Sequence, residues 1–147
     1  MPDLKDVAIL RGIEYTQGSG TREQTPEEDR GNLTAYLQLD IDDPQEDAEE
    51  PREVRVGLHT TATHPRGIVV ATSTATFTVP AIHGGLADDP EQVRDLANRV
   101  AVRELFAYNR ALLATLGSLI LNARVFIPPL PEAFTFTEED VEGTGDA

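Results

Sequence analysis

The sequence predicts an α+β fold, in which a four-stranded antiparallel sheet is followed by two helices or one long helix. Strand-like segments come first and helical segments second, so the helical crossovers that parallel strands need are absent. The chain has 147 residues, which is the size of one domain. Its hydrophobic fraction of 39% is sufficient for a core, although aromatic residues make up only 5%, so aliphatic side chains must fill that core.

Four segments alternate between apolar and polar residues, as half-buried strands do. The first runs from Val7 to Tyr15, and the polar stretch from Gln17 to Gly31 is expected to be a loop. The second, from Leu33 to Ile41, alternates most cleanly. The third begins at Val54, and the fourth follows the turn signal of residues 64–67 (HPRG), so these two predict an antiparallel hairpin.

A helical pattern begins at Asp89, whose side chain can cap the first turn, with Pro90 at the first helical position. Apolar residues recur at helical spacing up to Leu121, on an arc wide enough to be buried on more than one side. Gly117 weakens this helix locally without ending it. The surplus apolar stripe predicts an oligomer. Its predicted interface residues are Val93, Leu96 and Val100.

Acidic segments are expected at two places on the surface. Residues 40–53 are dense in carboxylates and contain two prolines, which favours an exposed loop. Residues 137–147 are an acidic, glycine-bearing tail that is expected to be disordered. Residues 125–131 are expected to be extended, because each proline keeps the preceding residue out of the helical region. A single domain is therefore expected over residues 1–136.

The charge balance excludes several classes of function. With 12 Lys and Arg against 26 Asp and Glu, the net charge is −14, which makes a nucleic-acid partner or an acidic membrane surface unfavourable. The absence of cysteine removes disulfides, thiolate metal sites and a cysteine nucleophile. We find no signal peptide and no apolar run long enough for membrane insertion, so a cytoplasmic location is expected.

Candidate catalytic and metal-binding residues are few. His59 and His64 are five positions apart, which places them on opposite faces of a strand, so surface histidines are favoured over a metal site. His83 precedes two glycines but lacks the context of a phosphate-binding loop. Ser19 and Ser73 lie outside any nucleophile motif. We therefore predict that the protein is not an enzyme and that it uses no cofactor or metal.

Apolar surface is the remaining functional signal. Five of the eight Phe and Tyr residues lie in the last third of the chain. They are Phe106, Tyr108, Phe126, Phe134 and Phe136. Each can be an ordinary core residue, but a sheet with helices on one side leaves edges and apolar strips that invite oligomerisation or binding of an extended polypeptide.

Short stretches of this sequence match the motifs of one known family in the same order. Leu105 to Arg110 (LFAYNR) is similar to L-F-P-Y-A-R at the start of that family's second helix, and Val125 to Leu130 is similar to its L-x-L-x-P-[IV]. Leu33 to Asp42 resembles its P-x-V-x-L-D-L-D strand, and Val54 to Thr63 resembles the strand that follows. With Phe134 near the family's N-F, the chain resembles SecB, the preprotein-export chaperone family.

The resemblance implies an ATP-independent homotetramer, built as a dimer of dimers, that holds non-native polypeptides in apolar grooves. It places six apolar residues at the groove, namely Tyr36, Leu37, Phe106, Tyr108, Phe126 and Phe134. The positions that dock the family onto the zinc-bearing tail of SecA correspond here to Gln17, Gly18 and Val70, all uncharged. These replacements predict weak or absent SecA docking.

Three functional readings therefore follow from the sequence. The first is a holdase for protein export. The second is a chaperone or adaptor of the same fold that is dedicated to one partner, such as a toxin–antitoxin system, without SecA docking. The third is a structural or adaptor protein of the same fold whose apolar surface is fully consumed by its own tetramer. An enzyme is the least favoured class, because it would need a pocket that this sequence does not display.

Overall fold

A computed structural model describes residues 3–31, 33–41, 52–80, 89–125 and 127. The elements in chain order are helix α1 (Leu4–Val7), strand β1 (Ile9–Arg22), a short 3-10 turn (Glu27–Asp29), strands β2 (Leu33–Ile41), β3 (Arg52–His64) and β4 (Gly67–Val79), and helices α2 (Pro90–Leu96) and α3 (Val102–Leu116). A π turn follows each of the last two helices, at Ala97–Ala101 and Gly117–Leu121, so the backbone stays helical from 90 to 121. The predicted fold class is confirmed, with one long helix.

The sheet has the strand order β1-β4-β3-β2, and all neighbours are antiparallel. Strands β3 and β4 are central, whereas β1 and β2 are the two edges. In the middle of the sheet, Leu58 of β3 lies between Leu37 of β2 and Ser73 of β4. This register sets which side chains share a face, because successive residues of a strand point to opposite faces.

The long helix covers one face of the sheet, which we call the helix face. The buried side chains there are mostly aliphatic and small, as the low aromatic content requires. From the sheet they include Leu37, Val54, Val56, Leu58, Val69, Ala75 and Phe77, and from the helix Leu105, Leu113 and Leu121. Burying one such Val, Leu or Phe contributes about 1.5–3 kcal/mol. The opposite, outer face is rich in threonine, which suits a half-solvated sheet surface.

Strand β1 is longer than the sequence predicts. The stretch from residue 17 onward, expected to be a loop, stays paired with β4 as far as Arg22. A Cβ atom at Gly18 would lie 3.0 Å from Cδ2 of Leu112, and one at Gly20 would lie 2.8 Å from Cδ1 of Ile120. The glycines that suggested a loop therefore let the helix approach this edge strand closely.

The pairing of β1 with β4 is interrupted twice. Register shifts fall between Leu10 and Gly12 and between Tyr15 and Gln17, so one extra residue is inserted at each place. A bulge of this kind changes which residues of a strand face the core. Before the second shift Tyr15 faces the helix, and after it Gly18 does.

The N-terminal segment also departs from the prediction, because Val7 belongs to helix α1 rather than to a strand. Leu4 is fully buried, and its backbone N–H donates to the side-chain oxygen of Gln92 on α2 at 3.0 Å. The Lys5 ammonium contacts the Asp95 carboxylate at 2.7 Å. The hydrogen bond and ion pair with Lys5 hold the pKa of Asp95 below its usual value. These contacts fasten α1 to α2.

Two local signals are confirmed. The carboxylate of Asp89 accepts a hydrogen bond from the Glu91 N–H at 3.0 Å, with Pro90 in the first turn. The turn after β3 ends at Gly67, whose φ of +153° is a backbone conformation that favours glycine. The loop predicted over residues 40–53 is shorter, because residues 40–41 belong to β2 and residues 52–53 to β3. The rest of that loop, His83, residues 126 and 128–131 of the extended segment, and the tail lie outside the described residues. Within the described ranges, no helix is long and apolar enough to cross a bilayer.

Candidate polypeptide-binding surface

A buried polar cluster fixes the long helix on the sheet. Asn109 of α3 is fully buried, and its amide nitrogen donates to the backbone carbonyl of Leu58 at 2.9 Å. Its side-chain oxygen accepts a hydrogen bond from the Ser73 hydroxyl at 2.6 Å. Buried polar groups of this kind are costly unless paired, so the cluster specifies one position of the helix along β3 and β4.

An aromatic contact joins the edge strand β1 to the helix. The rings of Tyr15 and Tyr108 have centroids 5.8 Å apart and are tilted by 53°. The Tyr15 hydroxyl donates to the backbone carbonyl of Tyr108 at 2.6 Å. Desolvation, with a smaller contribution from Tyr108, raises the pKa of the Tyr15 phenol, so this hydroxyl remains a donor well beyond neutral pH.

Exposed large apolar side chains concentrate along this same edge. Ile9, Leu10 and Tyr15 of β1, and Tyr108 against it, are each 41–46% exposed. Leu119 is 76% exposed, and it is the neighbour of Ile120, which lies over Gly20 of β1. As an edge strand, β1 presents unpaired backbone groups beside these side chains within the described sheet. We call the combination of β1 with Tyr108 and Leu119 the β1 edge surface. It offers both a hydrogen-bonding template for an extended chain and apolar area.

A groove of about 450 Å³ lies on the side of α3 that is turned away from the sheet. One wall is helix α3, which contributes Ala107, Arg110, Ala111 and Ala114. The other wall is the segment after the helix, with Arg124, Val125 and Ile127. The Arg110 guanidinium donates to the Ile127 carbonyl at 3.1 Å and so ties the two walls together. We call this the arginine groove.

The outer face of the sheet carries a polar chain that crosses all four strands. Tyr36 of β2 stacks on His59 of β3, with ring centroids 4.7 Å apart. His59 Nδ1 lies 2.7 Å from the Thr72 hydroxyl on β4, which in turn lies 3.4 Å from the side-chain oxygen of Gln17 on β1. His64 instead accepts from the Arg66 N–H in the turn. Among the described residues no acidic and histidine side chains gather as a metal site would need.

The predicted groove residues fall in different places. Leu37 and Phe106 are 1% and 5% exposed, so both pack in the core of a single chain. Tyr36 lies on the outer face, and Tyr108 belongs to the β1 edge surface. Phe126 and Phe134 lie outside the described residues. The structure therefore does not gather the described members of this set into one groove.

The predicted interface residues differ in exposure. Val93 and Leu96 are buried within the chain, at 1% and 0% exposed, whereas Val100 is half-buried. Sequence reasoning placed Leu119 on the apolar stripe of the helix but could not tell that it is exposed, and it missed the contact of Tyr15 with the helix. Tyr15 stands out because β1 is an edge strand. The order of strands in the sheet cannot be derived from the sequence pattern, so this position could not be predicted.

Gln17, Gly18 and Val70, the positions that correspond to the SecA-docking residues of the SecB family, do not all lie on the same face of the sheet. Gln17 and Val70 lie on the outer face, where Val70 is half-buried and pairs in register with Ser19. Gly18 faces the helix instead. Thr16 is an extra residue in the pairing with β4, so the residues after it point to the opposite faces from those that the first half of β1 would predict.

The architecture, a four-stranded antiparallel sheet followed by a long C-terminal helix, is the SecB-like α+β fold. Two solved structures are similar over most of their length. The SecB-like chaperone of Mycobacterium tuberculosis, in complex with a ChAD peptide from the HigA1 antitoxin, matches with a TM-score of 0.62 and 15% identity over 87% of this chain and 91% of that one. A protein of unknown function from Streptococcus agalactiae matches with a TM-score of 0.50 and 12% identity over 84% and 97%.

Sequence comparison adds no further relationship. No protein-family model matches the chain, and no curated protein matches it significantly. The fold is therefore recognised through its three-dimensional arrangement.

Proposed function

We propose that this protein is a SecB-like molecular chaperone, a holdase that binds non-native polypeptides without nucleotide. The observation that carries the proposal is the β1 edge surface on a SecB-like fold, where exposed apolar side chains lie beside an unpaired strand edge. Single exposed apolar residues are common on folded proteins, whereas apolar residues grouped beside an open strand edge are typical of interaction sites. The proposal assigns no catalytic residue and no cofactor.

Binding would combine two kinds of contact. Backbone groups of an extended client can pair with β1, and its apolar side chains can pack on Tyr15, Tyr108 and Leu119. Each contact is weak, since apolar burial contributes about 25 cal/mol per Å². Many such contacts along one client add up, and linked sites on several copies raise the avidity further. The net charge of −14 favours basic segments and opposes self-association of loaded complexes.

A homotetramer, built as a dimer of dimers, is part of the proposal. The long helix supplies the observation that favours association of copies. Val100 is half-buried, so part of its apolar surface is not covered within one chain. Contact between the helices of two copies would bury this surface and leave the β1 edge surface open for a client. Native mass spectrometry across the micromolar range tests this, and a monomer throughout would contradict it.

A dedicated chaperone is the second candidate function. The outer-face positions Gln17 and Val70 are uncharged, which disfavours docking on a basic partner such as the SecA tail. The similar chaperone of M. tuberculosis was solved with a peptide from an antitoxin. By that analogy, one antitoxin-like partner would replace a broad set of export clients. A holdase protects many unrelated unfolded proteins, whereas a dedicated chaperone protects one.

Aggregation of a chemically unfolded protein, followed by light scattering without nucleotide, tests the proposal. The chain should suppress scattering at near-stoichiometric amounts, and Leu119→Asp should weaken suppression several-fold, because a carboxylate there is desolvated when a client binds. Ser118→Asp is the matched control, since Ser118 is also exposed and the charge change is the same. Equal suppression by both variants would exclude the β1 edge surface, and no suppression by the wild type would exclude a holdase.

A further inference from the structure

The arginine groove brings two arginines onto an apolar surface in a chain that is otherwise strongly acidic. Its described lining contains Arg110 and Arg124 but no carboxylate. Arg124 is exposed, and no described side chain or backbone group pairs with it. Among the described residues, neither guanidinium has a carboxylate partner, although acidic side chains outnumber basic ones by 26 to 12 in the chain. The groove therefore suits an occupant that is apolar and negatively charged.

We propose that this chain's own C-terminal segment, residues 134–142, binds in the arginine groove. Its sequence, FTFTEEDVE, places two aromatic residues directly before a run of carboxylates. The aromatic part matches the apolar lining that Ala107, Ala111 and Ala114 contribute, and the carboxylates match the two arginines, one from each wall. Charge-assisted bonds between guanidinium and carboxylate are stronger than neutral ones and define geometry.

The chain connection makes this contact accessible. Ile127, the last described residue, itself lines the groove, and Glu138 follows it by eleven residues. An extended chain covers about 3.3 Å per residue, which gives a reach of roughly 36 Å. The helix from residue 107 to residue 114 is only about 10 Å long at 1.5 Å per residue. Because the segment is tethered, its effective concentration at the groove is in the millimolar range, so weak pairs are sufficient.

The contact has a regulatory consequence that goes beyond the proposed function. A tethered acidic segment excludes other acidic segments from the groove, and it responds to ionic strength because its ion pairs are exposed. Basic or apolar segments of a client do not compete for the arginine groove, and they remain free to bind at the β1 edge surface. The C-terminal segment thereby acts as an internal competitor against acidic polypeptides.

Disulfide trapping in the full chain tests the contact, and the absence of cysteine gives a clean background. We expect the pair Ala111→Cys with Val141→Cys to form a disulfide within one chain at least tenfold faster than Gln38→Cys with Val141→Cys. Gln38 is an exposed residue of β2 and serves as the control. Adding Arg124→Glu or 0.5 M salt should remove most of this difference, whereas Arg22→Glu, at an exposed arginine of β1, should not.

Three results would overturn the proposal. Equal rates for the two cysteine pairs would show that the segment has no preference for the groove. A fast rate that ignores both salt and Arg124→Glu would remove the charge argument. Disulfides between two chains, in place of disulfides within one, would assign the groove to a neighbouring copy. None of these readouts depends on chaperone activity, so failure of the proposed function would leave the test intact.

Discussion

Replacing Asn109 by leucine tests whether the buried polar cluster sets the position of the long helix. The substitution removes the 2.9 Å hydrogen bond to the Leu58 carbonyl and leaves the Ser73 hydroxyl without its 2.6 Å acceptor. Ser73 retains only the Leu105 carbonyl at 3.4 Å, which is a poor contact. A lost hydrogen bond costs about 0.5–1.5 kcal/mol and a buried unsatisfied group about 1–3 kcal/mol. We therefore expect Asn109→Leu to lower the free energy of unfolding by about 2–4 kcal/mol.

Urea unfolding at one fixed protein concentration measures this change, because association of copies would otherwise shift the apparent stability. The double variant Ser73→Ala with Asn109→Leu removes both partners and should be more stable than the sum of the single effects by about 1 kcal/mol or more. Asn98→Leu, at a solvent-accessible site of the same helix, is the control. A loss below about 0.5 kcal/mol for Asn109→Leu, or strict additivity in the double variant, would refute the reasoning.

Further predictions concern the edge strand, the N-terminal helix and the outer face. Gly67→Ala should lower the free energy of unfolding by at least about 2 kcal/mol, because a Cβ there would clash with the Thr21 carbonyl and the backbone conformation favours glycine. Gly12→Ala is the control and should be close to neutral in thermal unfolding, because the space around Gly12 is open. The pKa of Asp95 is lowered, so its pairing stabilises the fold above pH ~4 and is lost as the pH falls further. Asp95→Asn should therefore flatten the fall in Tm between pH 5 and 3, and an unchanged slope would contradict this. A zinc-loaded SecA tail peptide should bind only at millimolar concentration at physiological ionic strength, and saturation at low micromolar concentration in a titration would contradict this.

The parts of the fold that could be predicted from sequence are those specified by local chemistry. Strand β2 has the bounds that its alternation predicts, from Leu33 to Ile41. The cap at Asp89 depends only on neighbouring residues, and so does the turn at Gly67. Helix α1 and the second half of β1 escaped prediction, because Leu4 and Gly20 acquire their roles only through residues far away in the chain.

The candidate site was less predictable for a related reason. An aromatic or aliphatic residue has the same sequence signature whether it fills a core or lines a surface. Phe106 and Tyr108 are two positions apart on one helix, yet the first is 5% and the second 41% exposed. The choice between them depends on which side of α3 faces the sheet, and Asn109 sets that through its contact with Leu58. The helical spacing of apolar residues does not distinguish those of α3 that are buried from those that are exposed.

The two register shifts in β1 have a consequence for how related chains diverge. Because Arg11 and Thr16 are extra residues in the pairing with β4, the strand consists of three short segments whose alternation is independent. A one-residue insertion or deletion is absorbed at either place without reversing the faces of the other segments. Outward-facing positions such as Gln17 are thus free to change among relatives while Gly18 and Gly20 stay beneath the helix. A sequence alignment of this strand with a relative must therefore allow gaps at residues 11 and 16. Where the relative lacks one of the extra residues, an alignment without gaps would compare residues from opposite faces of the sheet.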